Sequence, residues 1–371
     1  MKFSFKLPVE KDIIVFEQQC SDEIIENVFK ENYKYSILDN YSFLIYLNPL
    51  FIIKYIYLLI KNLNFKEKIK RQLFHIYFLN IVGYINPKVV ITYLDNNSIY
   101  SWLTKNYNDC EFIAIQNGSR QKCDQIYLNN RNHHHYYCFG DYDIKKQSDL
   151  GCTIGKGYPV GSFRAGLLLS NSKFSNKNKK YDICIISTTG RRHPDNIKES
   201  IYGHSIINAI NNRKIDNLVK KYVVENNLKL SIALSTDTDY EKKYFRSLFG
   251  ENIELIEHRH SLSTYEAICM SNISIGFMST MILEAIGLEN KGISIHFEDT
   301  DLYFDYPKEI KYLYKDYPSF NKYMNNLLEM TDHEYADKMK VIKKYVMNND
   351  PKNPPHSIIR KHIENIIEER K

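Results

Sequence analysis

Residues 272–297 read NISIGFMSTMILEAIGLENKGISIHF, and this stretch decides the fold. Ile273 to Phe277 form a short apolar run rich in β-branched residues, and a helical pattern of apolar positions follows from Thr280 to Leu288. A second apolar run, Lys291 to Phe297, comes next. Two strands joined by one helix are parallel neighbours, because only a crossover carries the chain back to the starting edge of the sheet.

Outward from this unit the same alternation repeats. Upstream lie the strand runs YDICII (181–186), LKLSIALS (228–235) and IELI (253–256), separated by helical patterns at 206–227, 239–250 and 263–271. The N-terminal half alternates likewise: DIIVF (12–16), SDEIIENVFK (21–30), PKVVITYLDNN (87–97), SIYSWLTKNY (98–107), EFIAIQNGSR (111–120) and YYCFG (136–140). Regular alternation over this length predicts an α/β protein whose parallel sheets are covered by helices on both faces. Residues 167–180, LLLSNSKFSNKNKK, turn from apolar to Ser, Asn and Lys and mark the link between two α/β domains. Such a pair suggests a cleft, with ligands beyond the carboxyl ends of the strands. From about residue 320 the chain is helical and charged, broken by NNDPKNPPHS before a last helix.

The 371 residues suffice for two cores, and 43% apolar with 25% charged residues is the composition of a folded globular protein. Fifty basic against 44 acidic residues, interspersed, leave a charge of +6. That balance suits an anionic small ligand or an anionic membrane surface rather than nucleic acid. Seven scattered Cys with no CxxC pair predict neither a disulfide framework nor a zinc site. The start of the chain resembles no secretory signal, so a cytoplasmic location is expected. Residues 43–60, FLIYLNPLFIIKYIYLLI, reach the length of a membrane span, but Asn48, Pro49 and Lys54 favour a buried core helix. With the basic stretch that follows, the same run can form a surface that rests on an anionic membrane, the alternative being a solvated helix face.

The candidate chemistry sits in polar loops after strands. A helix starting near Ser279 presents free N–H groups and the positive end of its dipole, and Ser279 and Thr280 add donors around Gly276, which lets the backbone bend. That is a phosphate seat, with Glu284 placed to accept from sugar hydroxyls. Equally, Ser279 or Thr280 caps the helix and Glu284 is solvated. A second loop, STTGRRHP (187–194), offers Thr188, Thr189 and Gly190 as an anion-binding turn, with Arg191 and Arg192 as phosphate partners or as solvated arginines. A third, EHRHS (257–261), sets His258, Arg259 and His260 after a strand, to meet a phosphate or a nucleobase edge. In the first half, Asp95 is the candidate base toward an acceptor hydroxyl, or the cap of the next helix. Asn96, Gln116, Asn117 and Gly118 offer neutral partners for sugar hydroxyls, Arg120 suits an anionic acceptor, and Asp141 and Asp143 are weaker candidates for the base. His133, His134 and His135 are consecutive, so in a strand they alternate faces and do not converge on one metal.

The order of these pieces resembles a glycosyltransferase of the GT-B type, with two Rossmann-like domains facing each other across a cleft. YCFGDYDIKKQSDLG (137–151) with GYPVGSFRAGL (157–167) is similar to the stretch before the inter-domain link of bacterial surface-polysaccharide transferases, including the glycerophosphotransferases of teichoic acid synthesis. SIGFMSTMILEAIGL (274–288) looks like their donor-phosphate loop. With TYLDNN (92–97) and IQNGSR (115–120), the chain most resembles the surface carbohydrate and O-antigen biosynthesis proteins. The resemblance implies an acceptor-binding domain over 1–166, a link at 167–180, a nucleotide-sugar-binding domain over 181–355, and a final helix (356–371) that crosses back. It further implies a nucleotide-sugar donor, a glycan or lipid-linked glycan acceptor, no cofactor and no bound metal, with Arg191, Arg192, Ser279 and Thr280 stabilising the leaving phosphate. Polyol-phosphate transfer, a non-hydrolysing sugar-nucleotide epimerase and a non-catalytic subunit share the architecture; the epimerases' early Gly-x-Arg-Pro-Glu loop is absent after DIIVF.

Overall fold

The computed structural model describes residues 2–62, 68–120, 130–171, 179–188, 204–235, 238–277, 279–298 and 306–370, the side chains of 204–209 excepted. It divides into two compact units: Met1–Gly118, Asp124–Phe163 and Asn353–Lys371 form the first, and Ser119–Cys123 with Arg164–Lys352 form the second.

The first unit runs β1 (Lys2–Ser4), β2 (Ile13–Phe16), α1 (Ser21–Val28), β3 (Tyr35–Leu38), β4 (Leu44–Tyr46), α2 (Pro49–Asn62), α3 (Ile69–Ile85), β5 (Val89–Thr92), α4 (Ser98–Asn106), β6 (Glu111–Ile115), β7 (Asn132–Cys138), α5 (Asp141–Asp149) and β8 (Thr153–Pro159). Six strands form a parallel sheet in the order β3-β2-β5-β6-β7-β8, while β1 and β4 pair as a separate ribbon. Every residue of β2 and β5 is buried, as expected of central parallel strands covered on both faces. Phe16 packs against Phe78 of α3 and Tyr100 of α4, which meets Phe112 of β6, so aromatic rings carry the sheet-to-helix contact on that face.

After α6 (Phe163–Ser170), the second unit continues with β9 (Tyr181–Ile186), α7 (His204–Glu225), β10 (Leu230–Ala233), α8 (Asp239–Phe249), β11 (Glu254–Ile256), α9 (Ser263–Cys269), β12 (Ser271–Gly276), α10 (Thr280–Gly287), β13 (Lys291–His296), β14 (Lys311–Leu313), α11 (Tyr317–Glu329) and α12 (Asp332–Val346). Its parallel sheet has the order β11-β10-β9-β12-β13-β14. Buried Asn290 ties this sheet to its helices: it accepts from Ser274 Oγ and donates to the carbonyls of Ile268 and Ser271. Such a fully paired polar group costs little, whereas removing it would strand its partners. The last helix, α13 (Pro355–Glu369), belongs to the first unit. It is held there by Arg360 donating to the Asn27 carbonyl, by the Tyr137 hydroxyl 2.6 Å from His362 Nδ1, and by the ion pair of Lys30 with Glu364.

Two readings of the sequence need correction. The apolar run 43–60 is not one buried helix: it breaks at Asn48, giving β4 and then α2, in which only Phe51 is buried among the described residues. The short strands β3, β8 and β14 escaped notice because three to seven residues with few apolar positions carry little periodic signal. Of the link expected at 167–180, residues 167–170 are helical, and 172–178 lie outside the described residues.

The helix α10 lies close on β13. A methyl group at Gly292 would sit 2.6 Å from the Ile282 carbonyl oxygen and 3.3 Å from Ala285 Cβ. Gly292→Ala is therefore expected to cost about 1–3 kcal/mol, since backbone must move, and to lower the melting temperature measured by circular dichroism.

Candidate active site

In the second sheet the strand order, counted along the chain, is 3-2-1-4-5-6, which reverses between β9 and β12. A crevice opens at such a switch point beyond the strand ends, and ligands of open α/β sheets bind there. Ile185 is level with Ile275, so the loops that begin at Ser187 and at Phe277 emerge side by side. These are two of the three loops expected to carry the donor site, and the fold brings them together. Ser279 caps α10, its Oγ accepting from the Met281 N–H. Thr280 opens the helix, and its Oγ1 accepts from the N–H of Ser119, a residue that groups with this unit. Gly276 has the role of a close contact rather than a bend. A Cβ there would lie 3.3 Å from both the Ile186 carbonyl oxygen and Ile282 Cδ1.

At the end of β9, Thr188 Oγ1 accepts from Asn212 Nδ2 at 2.6 Å, and buried Ser187 and half-buried Ser235 both donate to buried Glu241. This carboxylate, placed by α8, fixes the ends of β9 and β10. Along α7 on either side of Asn212 in sequence, a groove of about 590 Å³ is lined by Ile210, Arg213, Lys214, Lys221, Phe297 and Tyr317 among others. Thr189, Gly190, Arg191 and Arg192 lie outside the described residues. Glu284 is buried and accepts from the Tyr265 hydroxyl at 2.7 Å, so it is not the solvated face residue that its helical position allowed. His258, Arg259 and His260 are exposed after β11, the edge strand. That end is two strand spacings, roughly 10 Å, from β9, and the fold does not gather it with the other two loops. His260 there pairs with Glu266 at 3.3 Å.

The first sheet, counted the same way, runs 2-1-3-4-5-6 and reverses between β2 and β5. Phe16 is level with Leu38 and with Thr92. The residues just beyond, Glu17, Asp39 and the loop through Asn97, therefore emerge together. Glu17 is 2% exposed and has φ +76, a left-handed conformation that costs a non-glycine residue about 1–2 kcal/mol. Burial, with Asp39 hydrogen-bonded beside it, pushes its carboxyl up to about 8, although Asn97 Nδ2 donates to Oε1 at 2.6 Å. Asp39 is also disfavoured by burial, yet the Tyr41 N–H, the Ser42 hydroxyl and Glu17 hold it below the usual carboxylate range. The two carboxyls thus hold one proton, carried by Glu17, and one negative charge, on Asp39. Sequence reading stopped the strand at Phe16 and missed this pair. Its signal was faint: one acid directly after each of two strands whose adjacency only the fold shows.

Asp95 lies beneath the neighbouring loop. It is 1% exposed, and its Oδ2 accepts from the Tyr136 hydroxyl at 3.1 Å and Gln147 Nε2 at 3.3 Å. The helix cap beside it is Asn97, whose Oδ1 accepts from the N–H groups of Ile99 and Tyr100. Gln116 is also internal: it donates to Asp143 Oδ1 and the Gly118 carbonyl and accepts from the Phe139 N–H, which ties β6 to β7. Asn96 is exposed, while Asn117, Gly118 and Arg120 are half-buried at the end of β6, and Asp141 is exposed at the start of α5.

The Glu17 proton makes a stability prediction. An unfolded glutamate ionises near 4.5 and the folded one near 8, so between these values folding must take up a proton, and stability falls as pH rises. Urea unfolding at pH 5 and pH 8 should show this loss in the native chain and a smaller one in Glu17→Gln.

A family model described as "putative O-antigen biosynthesis protein" matches residues 113–361, more than half of the chain. The solved structure of the wall teichoic acid polymerase TagF, H444N variant, is similar at a TM-score of 0.54 and 13% identity, covering 98% of this chain and 90% of that one. UDP-GlcNAc 2-epimerase from Neisseria meningitidis, bound to UDP-GlcNAc, matches at 0.53 and 12% over 100% of both chains. The Methanocaldococcus jannaschii UDP-GlcNAc 2-epimerase, in complex with UDP-GlcNAc and UDP, matches at 0.52 and 13%, covering 92% and 99%. Identities this low establish a shared fold, the GT-B-like pairing of two Rossmann-like sets. A comparison with curated protein sequences finds no match. By the extent of the family match, the chain belongs to the O-antigen biosynthesis protein family, proteins of surface-polysaccharide synthesis.

Proposed function

We propose that the chain is a glycosyltransferase that moves a sugar from a nucleotide-sugar to a surface-polysaccharide acceptor. The observation that carries this reading is the switch point of the second sheet, where the loop after β9 and the capped N-terminus of α10 emerge together in a member of an O-antigen family. Backbone N–H groups and the dipole of α10, with the hydroxyls of Ser279, Thr280 and Thr188, suit the diphosphate of such a donor. Arg191 and Arg192 follow Thr188 closely in sequence and are assigned to the same phosphates. No metal is required for this stabilisation.

In the reaction the acceptor hydroxyl oxygen bonds to the anomeric carbon, the bond from that carbon to the donor phosphate breaks, and the nucleoside diphosphate leaves with the electron pair. The hydroxyl proton needs a base. The half-buried carboxylate of Asp39, paired with Glu17 at the switch point of the first sheet, suits this better than Asp95, which is 1% exposed beneath its loop. Asn96, Asn117, Gly118 and Arg120 remain assigned to the acceptor, and Gln116 to positioning their loop.

The test begins with thermal shifts against UDP-, GDP-, CDP- and dTDP-sugars and CDP-glycerol, without magnesium. One sugar nucleotide should stabilise the native chain, and Thr280→Ala should weaken its binding by about ten-fold or more, the worth of a hydrogen bond to a charged group. A shift by CDP-glycerol alone would replace the reading with polyol-phosphate transfer. With an acceptor in hand, Asp39→Asn, which removes the pair's negative charge, should lower turnover about 10²-fold or more while donor affinity stays unchanged. Unaltered turnover would remove the carboxyl pair from the mechanism.

A further inference from the structure

The helix α2 has its polarity inverted. Phe51, Lys54, Tyr55 and Leu58, at spacings of three and four, turn toward the protein: Phe51 is buried, Tyr55 donates to the Leu73 carbonyl, and Leu58 packs on the core. Lys54, the charge in mid-helix, also turns inward. Its Nζ donates to the Gly83 carbonyl at 3.3 Å and sits 4.3 Å from the centre of the Tyr84 ring. The opposite stripe, which a water-facing helix would make polar, is apolar: Leu50 is 61% exposed, Ile53 64% and Ile60 80%, with Ile56 and Tyr57 half-exposed or more. At its N-terminal end this stripe continues onto Phe5, 74% exposed, whose carbonyl accepts from Asn48 Nδ2 just ahead of the helix. Contiguous apolar surface of this kind marks a contact surface rather than chance exposure.

Charge identifies what it contacts. Lys61, Lys68, Lys70 and Arg71 are exposed where α2 ends and α3 begins. From residue 44 to residue 88 the sequence holds seven Lys and Arg against one acidic residue, Glu67. We propose that this face docks on an anionic phospholipid bilayer, with α2 lying in the plane of the interface and its apolar stripe among the acyl chains. Fourteen residues make a helix of about 21 Å, too short for a hydrocarbon core of about 30 Å, and no helix among the described residues is long and apolar enough to cross a membrane. An interfacial helix with flanking cations needs neither. Each cation near an anionic surface adds electrostatic attraction to the apolar term. A second copy of the chain is the poorer occupant, because it would bring the same excess of positive charge to the contact.

The proposal does not rest on the transferase reading, and its test involves no donor. The full chain is sedimented with vesicles of phosphatidylcholine, with and without phosphatidylglycerol, at low and high salt. The native chain should pellet with the anionic vesicles at low salt and be released by high salt. Ile53→Ser with Ile60→Ser, and separately Lys68→Glu with Arg71→Glu, should each weaken binding about ten-fold or more while the melting temperature is unchanged, since all four side chains face solvent. Light scattering on the same samples reads the oligomeric state. No binding to anionic vesicles, binding indifferent to both pairs of substitutions, or a dimer that the isoleucine substitutions dissociate would each overturn the proposal.

Discussion

Parallel pairing in strict register is the constraint on which the rest depends. A parallel neighbour can be reached only through a crossover, so within each six-stranded sheet the strands all point the same way, and their carboxyl ends finish along one edge of that sheet. Register then decides which loops are neighbours. Phe16, Leu38 and Thr92 end at one level, as do Ile185 and Ile275. The loops that follow them emerge side by side although the chain separates them by tens of residues. Where the strand order reverses, the helices leave to opposite faces and the surface formed by those loops opens. Both units have such a point, and both candidate sites stand on it.

What lies under these surfaces is paired and buried. Glu241 holds the ends of β9 and β10, Asn290 locks β12 to its flanking helices, and Gln116 and Asp95 do similar work under the first sheet's loops. Each removes a polar group from water and satisfies it, which rigidifies the loop above without a large net gain in stability. By contrast, Glu17 sits in a strained backbone conformation with its carboxyl kept protonated. Strain and a displaced ionisation coincide here at a sheet's switch point, which makes the Glu17 and Asp39 pair the candidate reactive group of the first unit.

The alternation of strands and helices was legible from apolar periodicity, and with it the α/β class and the positions of the loops after β9 and β12, which the fold sets side by side. Residue type was a poorer guide to role. Asp95 and Gln116 end strands and carry the right chemistry for a site, but a residue at a strand end can turn under the loop as readily as out of it, and both turn under. Glu17 and Asp39 were missed because their partnership depends on the adjacency of β2 and β3, which no local pattern encodes. The run 43–60 misled for a related reason. Lys54 argued for an ordinary buried or solvated helix, whereas the fold turns that charge inward onto Gly83 and Tyr84 and leaves isoleucines outside.

The central claim is that the switch point of the second sheet binds the phosphates of a nucleotide, and hydrogen–deuterium exchange with and without a nucleoside diphosphate at saturation tests it most directly. Backbone N–H groups of Thr280 to Leu283 and of Thr188 should exchange more slowly when the ligand is bound, because they become its donors or are shielded by it. Protection confined to the loop after β11, around His258 and Arg259, with the first turn of α10 unchanged, would contradict the account.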